Sequence, residues 1–452
     1  MSGEGEPRGS HEAERLGPVP PVPAVAVEDT GPLRRFLGLA TIDSGPLRRH
    51  REYRLLYIGQ ALSFFGAMLT YVAIPYQVYQ LTGSSLAVGL LSLAELIPLL
   101  FTALIGGALA DAVDRRRMLQ FAEIALALVT VILLANSLLD EPKVWVLFLA
   151  APLGAAFDGF LRPALDSMVP RLVPRDELMA AAALDSLRGE VGMIAGPALG
   201  GVLIATIGLP ATFGIDVATS GAAVLALGLM RAVPPPPDAV PPSVKRIVEG
   251  MKYAWSRQEL LGSYGVDIVA MFFGMPMALF PAIANYYGGA EVLGLLYSAP
   301  AVGALVASLT SGWASRVHRH GMAIIWAAAA WGLAILVFGL VTNLWVALFF
   351  LGLAGAADMI SGIFRGTLWN QTIPDRLRGR LAGIEQVSYS SGPLLGNLES
   401  GVVAALFGVR ASVVSGGFLC VVGVGLFALV LPAFRHYDAR TPPSDSPSEG
   451  VL

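Results

Sequence analysis

Four carboxylates sit inside long apolar stretches of this chain: Glu95, Asp158, Glu190 and Asp267. A charge at the centre of a bilayer is costly, so such residues pair, face water or carry protons. An acid that desolvation brings into titration near neutrality can take up and release a proton during a transport cycle. These four are therefore the candidates for proton coupling. Asp158 has Arg162 four residues on, a spacing that permits a plain helical ion pair. Arg188 can neutralise Asp185 or Glu190, whereas Glu95 has no cation near it in sequence. Asp216, Glu123, Glu385 and Glu399 lie nearer the ends of their apolar runs and are expected to be solvated or capping.

Other chemistry is poorly provided for. Cys420 is the single cysteine, which rules out an intrachain disulfide or a thiolate metal site. The five histidines, His11, His50, His318, His320 and His436, fall in tails or loops. No paired-histidine motif, nucleophile elbow or phosphate-binding glycine loop is present, which argues against an enzyme. No metal, no cofactor and no nucleic-acid partner is expected.

The elements that must position the acids are membrane helices. Hydrophobic residues make up 55% of the chain and charged ones 14%, against about 25% charged in a soluble domain. Mean hydropathy is +0.66. A helix needs about 20 residues to cross hydrocarbon. Twelve runs qualify, near 53–80, 86–110, 118–138, 144–166, 179–206, 209–231, 260–286, 291–315, 321–341, 343–364, 380–406 and 408–432. The expected fold is all-α, with twelve transmembrane helices in two pseudo-symmetric six-helix bundles.

The expected domains are a disordered tail over 1–50, bundles over 51–231 and 259–432, a linker over 232–258 and a second disordered tail over 433–452. The linker opens on Pro234-Pro-Pro-Pro237 and continues into an amphipathic stretch from Val244 to Trp255. With the N-terminus inside, only Lys143 and Arg410 fall on the outer loops, so both termini are expected to be cytoplasmic.

The halves echo one another about 200 residues apart. Phe64-Phe-Gly66 answers Phe272-Phe-Gly274, Val88-Gly-Leu-Leu91 answers Leu293-Gly-Leu-Leu296, and Asp158 answers Asp358. Gly196-Pro197 answers Gly392-Pro393 with a slip of one helical turn. Bundles related in this way place a substrate site between them, near the midplane.

Two motifs are more specific. Gly107-Ala-Leu-Ala-Asp111-Ala-Val-Asp114-Arg115-Arg116-Arg117 joins the second and third spans. It resembles the helix 2–3 loop of major facilitator superfamily (MFS) transporters, departing from that pattern at Ala112 and Asp114. In the fifth span, Gly192-Met-Ile-Ala-Gly196-Pro197-Ala-Leu-Gly200-Gly201 matches the fixed positions of a motif that resembles proton-coupled MFS exporters and that importers usually lack. Its plain reading is helix packing through small residues. Ile74-Pro-Tyr-Gln-Val-Tyr-Gln-Leu-Thr-Gly-Ser84 and Pro300-Ala-Val-Gly-Ala-Leu-Val-Ala-Ser-Leu-Thr-Ser-Gly312 look like the enterobactin (catecholate siderophore) exporter branch, which is close to macrolide and multidrug exporters.

The resemblance implies an exporter of the bacterial cytoplasmic membrane, working as a monomer with an organic substrate, protons and membrane lipids as its partners. Gating would fall to Gly107, Asp111, Arg115 and Arg162, with Asp111 latching a helix N-terminus of the other half near Gly379. For Arg116 and Arg117 a role in setting topology suffices. The cavity would be lined by Gln60, Ser63 and Thr70, by Phe272, Phe273, Asn285 and Tyr286, and by Gln386 and Tyr389. Polar groups beside aromatics suit a large amphipathic aromatic ligand: a siderophore first, a hydrophobic drug or antibiotic second. A proton-coupled importer and a transport-inactive sensor or scaffold are the rival readings.

Overall fold

Hydrocarbon offers the backbone no hydrogen-bond partner, so each apolar run must satisfy its own N–H and C=O groups as a helix. The computed structural model describes residues 43–233 and 252–440, and the side chains among them except those of 103–112, 163 and 375–388. Ten stretches of the described residues are long and apolar enough to cross a membrane. One of these is two spans, because Leu178–Gly228 bends at Gly208. The 33-residue helix Asp375–Phe407 supplies the twelfth.

In chain order the helices are α1 (Arg51–Thr82), α2 (Ser85–Ala112), α3 (Arg115–Ser137) and α4 (Val144–Leu172). Next come α5 (178–207) and α6 (209–228) on either side of Gly208. Then follow α7 (Gln258–Phe273, resuming as Phe280–Tyr287), α8 (Ala290–Leu309), α9 (His320–Leu340), α10 (Leu344–Thr372), α11 (Asp375–Phe407) and α12 (Val409–Val430).

In the first bundle α1 packs along the α5–α6 hairpin, α2 along α4, and α3 along α4 and that hairpin. In the second, α8 and α9 pack on α10, α9 also on α12, and α7 on α11 and α12. Two glycines turn the last hairpin of each bundle. Gly208 has φ 82° and ψ 171°, and Gly408 has φ 89° and ψ 156°. Only glycine occupies that region without strain. The same backbone conformation recurs 200 positions on.

The turns at 83–84, 138–143, 208, 288–289, 341–343 and 408 lie at one end of the molecule, the hairpin face. The other end, the terminal face, carries residues 44, 113–114, 173–177, 231, 317–319 and 435. The bundles meet toward the hairpin face, where α2 packs on α11 and the α5–α6 hairpin on α8. A methyl group on Gly201 would strike the backbone of Ala290 and Gly294, and one on Gly89 the backbone of Asn397 and Leu398. The approach is therefore backbone to backbone.

Polar groups fix its register. Asn397 Nδ2 donates to Ser92 Oγ at 3.1 Å, and Gln80 Nε2 donates to Asn285 Oδ1 at 3.3 Å. Tyr71 Oη meets Met277 Sδ at 3.2 Å. Asn397 also answers for the break in α7, its Oδ1 accepting from the Ala278 N–H at 3.1 Å, while Tyr297 Oη donates to the Met277 carbonyl at 3.2 Å. Broken backbone at membrane depth persists where side chains re-satisfy it in this way.

Several expectations need correction. The segment up to residue 50 is not disordered throughout: Gly45–Arg49 is a short helix. Arg49 and His50 close on Glu177 at 2.7 and 3.0 Å, which docks the segment beside the turn before α5. Residues 433–440 are docked as well, since Phe434 and Tyr437 are buried and Phe434 fills the space beside Gly262 of α7. The amphipathic stretch from Val244 to Trp255 lies outside the described residues except for its last turn, which is helical.

Glu123 and Asp216 are neither solvated nor capping. Glu123 is fully buried and accepts from Gln60 Nε2 and Ser63 Oγ, both at 2.8 Å. Asp216 accepts from Thr70 Oγ1 at 2.5 Å and Thr130 Oγ1 at 3.1 Å. The polar face of α1 thus turns into the first bundle against α3 and α6, which removes Gln60, Ser63 and Thr70 from the expected cavity lining.

Two measurements test this architecture. With Cys420→Ser as background, the pair Ser92→Cys and Asn397→Cys should be joined by a short thiol cross-linker in the resting protein. Adding Gly201→Leu should suppress that cross-link; equal yield would show that glycine contact does not close the hairpin face. Glu123→Ala should cost about 1–3 kcal/mol by orphaning buried donors, lowering the unfolding temperature in detergent more than Glu123→Gln does.

Candidate functional site

Because the bundles touch toward the hairpin face, the space between them lies nearer the terminal face, where no hydrogen bond or ion pair joins the halves among the described residues. Helices α1, α2, α4, α7, α8, α10 and α11 direct polar groups toward it. Asp158 and Arg162 of α4 are exposed there. Tyr71 of α1 and Tyr389 of α11 are exposed to 43% and 56% although each lies in mid-span, so they face open space inside the fold. Tyr389 stands within electrostatic reach of Arg162 across the interface, and of Asp267, Asp358 and Arg365 in its own bundle.

Glu95 of α2 is half-buried beside Tyr71 and Tyr297. These two rings meet edge to face at 5.4 Å, and Tyr297 stacks likewise on Phe280 at 5.0 Å. No hydrogen bond or ion pair engages the Glu95 carboxylate among the described residues. Asp158 is similar: Arg162 acts on it electrostatically but makes no ion-pair contact. Glu190 is half-buried on α5 without a cation, because Arg188 is taken by Asp185 at 2.6 Å.

Asp267 is different. It forms an ion pair with Arg365 of α10, and both residues are buried. Arg365 also reaches Asp358 at 3.5 Å, whose side chain is 40% exposed. Its Nε, buried, has no hydrogen-bond partner. Two carboxylates on one guanidinium leave a net negative charge at the edge of the space. Sequence reading did not single out Arg365. The available signal was an arginine directly after the tenth apolar run, two helical turns beyond Asp358 and so on nearly the same face.

The fifth-span motif becomes packing geometry. A methyl on Gly192 would strike Phe64, and one on Gly196 would strike Met68, while Gly200 lies over Leu69, so these three seat α5 on α1. Gly201 faces α8 instead. Proline removes one rung of the helix ladder. In the turn that Pro197 loosens, the Ile194 carbonyl accepts from Ser298 Oγ of α8 at 2.8 Å.

The second bundle repeats this arrangement without the expected slip. Gly392 and Gly396 abut Met271 and the following backbone of α7, and Gly401 abuts Ser85 and Leu86 of α2. The equivalent glycines are thus Gly192 and Gly392, Gly196 and Gly396, Gly201 and Gly401, at a constant offset of 200. The proline has moved, from 197 to 393, and Ser400 stands where Gly200 would recur.

Around the helix 2–3 turn, the side chains of Gly107 and Asp111 lie outside the described residues, as does that of Gln386. Asp114 caps α3, accepting from the Arg116 N–H at 2.9 Å. Arg115 is buried and its Nε donates to Ser167 of α4 at 2.7 Å, an attachment within its own bundle. Arg116 binds the Leu227 and Gly228 carbonyls at the end of α6, both at 2.6 Å. Of the other expected cavity residues, Phe272 and Phe273 are half-buried and stack on each other at 4.9 Å. Asn285 belongs to the closed hairpin face. Tyr286 is 73% exposed at that face's rim, because α7 ends there.

Comparison with known proteins places this geometry. Residues 43–449 match the family described as transmembrane secretion effector, of the major facilitator superfamily. The enterobactin exporter EntS of Citrobacter koseri is 31% identical over 399 residues, covering 87% of this chain and 94% of the relative. EntS of Escherichia coli strain K12 is 29% identical over 405 residues, covering 88% and 96%. Among solved structures, the nucleoside transporter NupG superposes with a TM-score of 0.70 at 13% identity, covering 84% of this chain and 99% of that one. A bacterial homologue of the lysosomal transporter Spinster does so at 0.65 and 16% identity, covering 89% and 100%. The chain belongs to the transmembrane secretion effector family and is a membrane exporter with the MFS fold.

Proposed function

We propose that the protein is a proton-coupled antiporter that carries an organic molecule of the siderophore class out of the cell by alternating access. The carrying observation is a space between two bundles, closed toward the hairpin face, into which Glu95 and Asp158 project without a cation in contact. A carboxylate in that position binds a proton when its space loses water and releases it when the space opens. Asp267 and Asp358 share Arg365, so protonation of either carboxylate loosens a contact between α7 and α10 or within α10. The siderophore class comes from the similarity to enterobactin exporters. A hydrophobic drug or antibiotic is the second reading, favoured by the half-exposed rings of Tyr71 and Tyr389.

The arginines of the terminal face, against Lys143 and Arg410 at the hairpin face, support cytoplasmic termini in a bacterial inner membrane. Asp111 latches α2 to the start of α11 when the terminal face closes, and Arg162 lines the passage beneath the site. The protein works as a monomer, its basic terminal face resting against anionic lipid headgroups.

Inside-out vesicles with an imposed pH gradient test the proposal. Uptake of a metal-free siderophore should collapse on adding an uncoupler. Glu95→Gln or Asp158→Asn should lower gradient-driven uptake by about tenfold or more, the scale at which an essential protonation is lost, while substrate counterflow without a gradient persists. Asp111→Asn should reduce both modes, because it acts on gating. Uptake indifferent to the uncoupler would refute antiport, and a scaffold would keep its output in Asp111→Asn.

A further inference from the structure

We infer that the cavity selects its substrate by charge: it accepts neutral or cationic molecules rich in hydrogen-bond donors and refuses anions, with Glu95 and Asp358 as the discriminating residues. The inference rests on the export reading above and narrows its substrate. Among the described residues at mid-depth, the space carries the carboxylates Glu95, Asp158, Asp267 and Asp358 and the guanidiniums Arg162 and Arg365. Four negative and two positive charges leave −2. Asp267 forms a buried ion pair with Arg365, and Arg162 acts on Asp158 electrostatically from the same helix. Among the described residues Glu95 has no cation in contact, and Asp358 shares Arg365, at 3.5 Å, with Asp267, so one net negative charge remains on each bundle. Glu190, nearer the terminal face, adds to the same sign.

The uncharged lining points the same way. Tyr71 offers a ring face and edge beside Glu95, with Tyr297 and Phe280 packed behind it. A tyrosine face attracts cations and repels anions, and an ionised carboxylate only accepts hydrogen bonds. A catechol or an ammonium group satisfies such a lining through its O–H or N–H donors. A carboxylate or a catecholate dianion meets acceptors with acceptors. The buried Arg365 Nε is too enclosed to offset this for a bulky anion.

For a siderophore the consequence is specific. A metal-free catechol ligand is neutral near pH 7 and presents its O–H groups. When three catechols wrap a ferric ion, each gives up both protons and the complex becomes a trianion that has no phenolic donors left. The same cavity therefore passes the empty carrier and turns back the loaded one, without any steric gate.

The full-length protein in nanodiscs, at a pH where the acids are ionised, provides the test. The probes are a metal-free tricatechol, its ferric complex and tetraphenylphosphonium, each read by competition binding on wild type and on the pair Glu95→Gln, Asp358→Asn. Wild type should prefer the metal-free ligand over the ferric complex by on the order of tenfold or more, the size expected for two charges at cavity distances in a protein interior. The paired variant should lose most of that preference and weaken for tetraphenylphosphonium. Equal affinity of wild type for both forms, an unchanged ratio in the variant, or binding of none of the probes overturns the inference. Charge-selective binding without proton-driven uptake in the vesicle assay would sustain it and refute the antiport reading instead.

Discussion

Two backbones can approach within van der Waals distance only where neither carries a side chain, and this molecule places that condition at matched points of its two halves. Gly201 lies against Gly294, and Gly401 against the start of α2. Among the described residues, polar contacts that join the bundles accompany those approaches, including Asn397 on Ser92 and Ser298 on the Ile194 carbonyl. Small residues serve this purpose in membranes because lipid gives helices no hydrophobic reason to associate, leaving packing and hydrogen bonds to do so. A contact of this kind closes flush and parts without a steric barrier, since no interlocked side chains must be pulled out. That property suits the alternating access proposed for this surface.

Closure also sorts the ionisable groups into two populations. Glu123 and Asp216 are enclosed by Gln60, Ser63, Thr70 and Thr130 and bind α1 to α3 and α6. Their surroundings belong to one bundle and do not change when the bundles move against each other. Glu95, Asp158 and Asp358 face the space between the bundles, so the proposed rocking motion would alter their access to water directly. The same residue type thus holds a bundle together in one place and, in the proposed cycle, would respond to motion in another. Arg365 stands at the boundary: its Asp267 partner is buried and its Asp358 partner half-exposed. Removing one member of a buried pair typically costs about 3–5 kcal/mol, which makes that boundary a sensitive point of the second bundle.

Much of the fold was legible in the sequence because each span is a long apolar run bounded by polar turns, and because the repeat carries glycines that the packing requires. Val88-Gly-Leu-Leu91 and Leu293-Gly-Leu-Leu296 are the sequence trace of the two inter-bundle contacts. The facing of polar side chains was not legible. A helix surrounded by apolar partners on all sides shows no clear amphipathic stripe, so Gln60, Ser63 and Thr70 gave no sign that they point toward α3 and α6. Glu123 and Asp216 run against the expectation of solvated or capping acids for the complementary reason: their partners lie on α1 and α3, at sequence distances that no local spacing reveals. Arg365 escaped notice because Asp267, the acid it neutralises, sits three helices earlier.

The displaced proline of the repeat is itself informative. Glycines at 192, 196, 201 and 208 recur at 392, 396, 401 and 408, but proline moves from 197 to 393. A proline releases the carbonyl four residues before it. In α5 the loosened turn lies against α8, and Ser298 takes up the neighbouring Ile194 carbonyl across the bundle interface. In α11 the carbonyl released is that of Tyr389, whose side chain faces the central space. One bundle therefore carries its weak point at the inter-bundle contact and the other at the cavity wall. In the proposed cycle, symmetric packing with asymmetric hinges would let the two halves close together on one face while only one of them reshapes around what lies between.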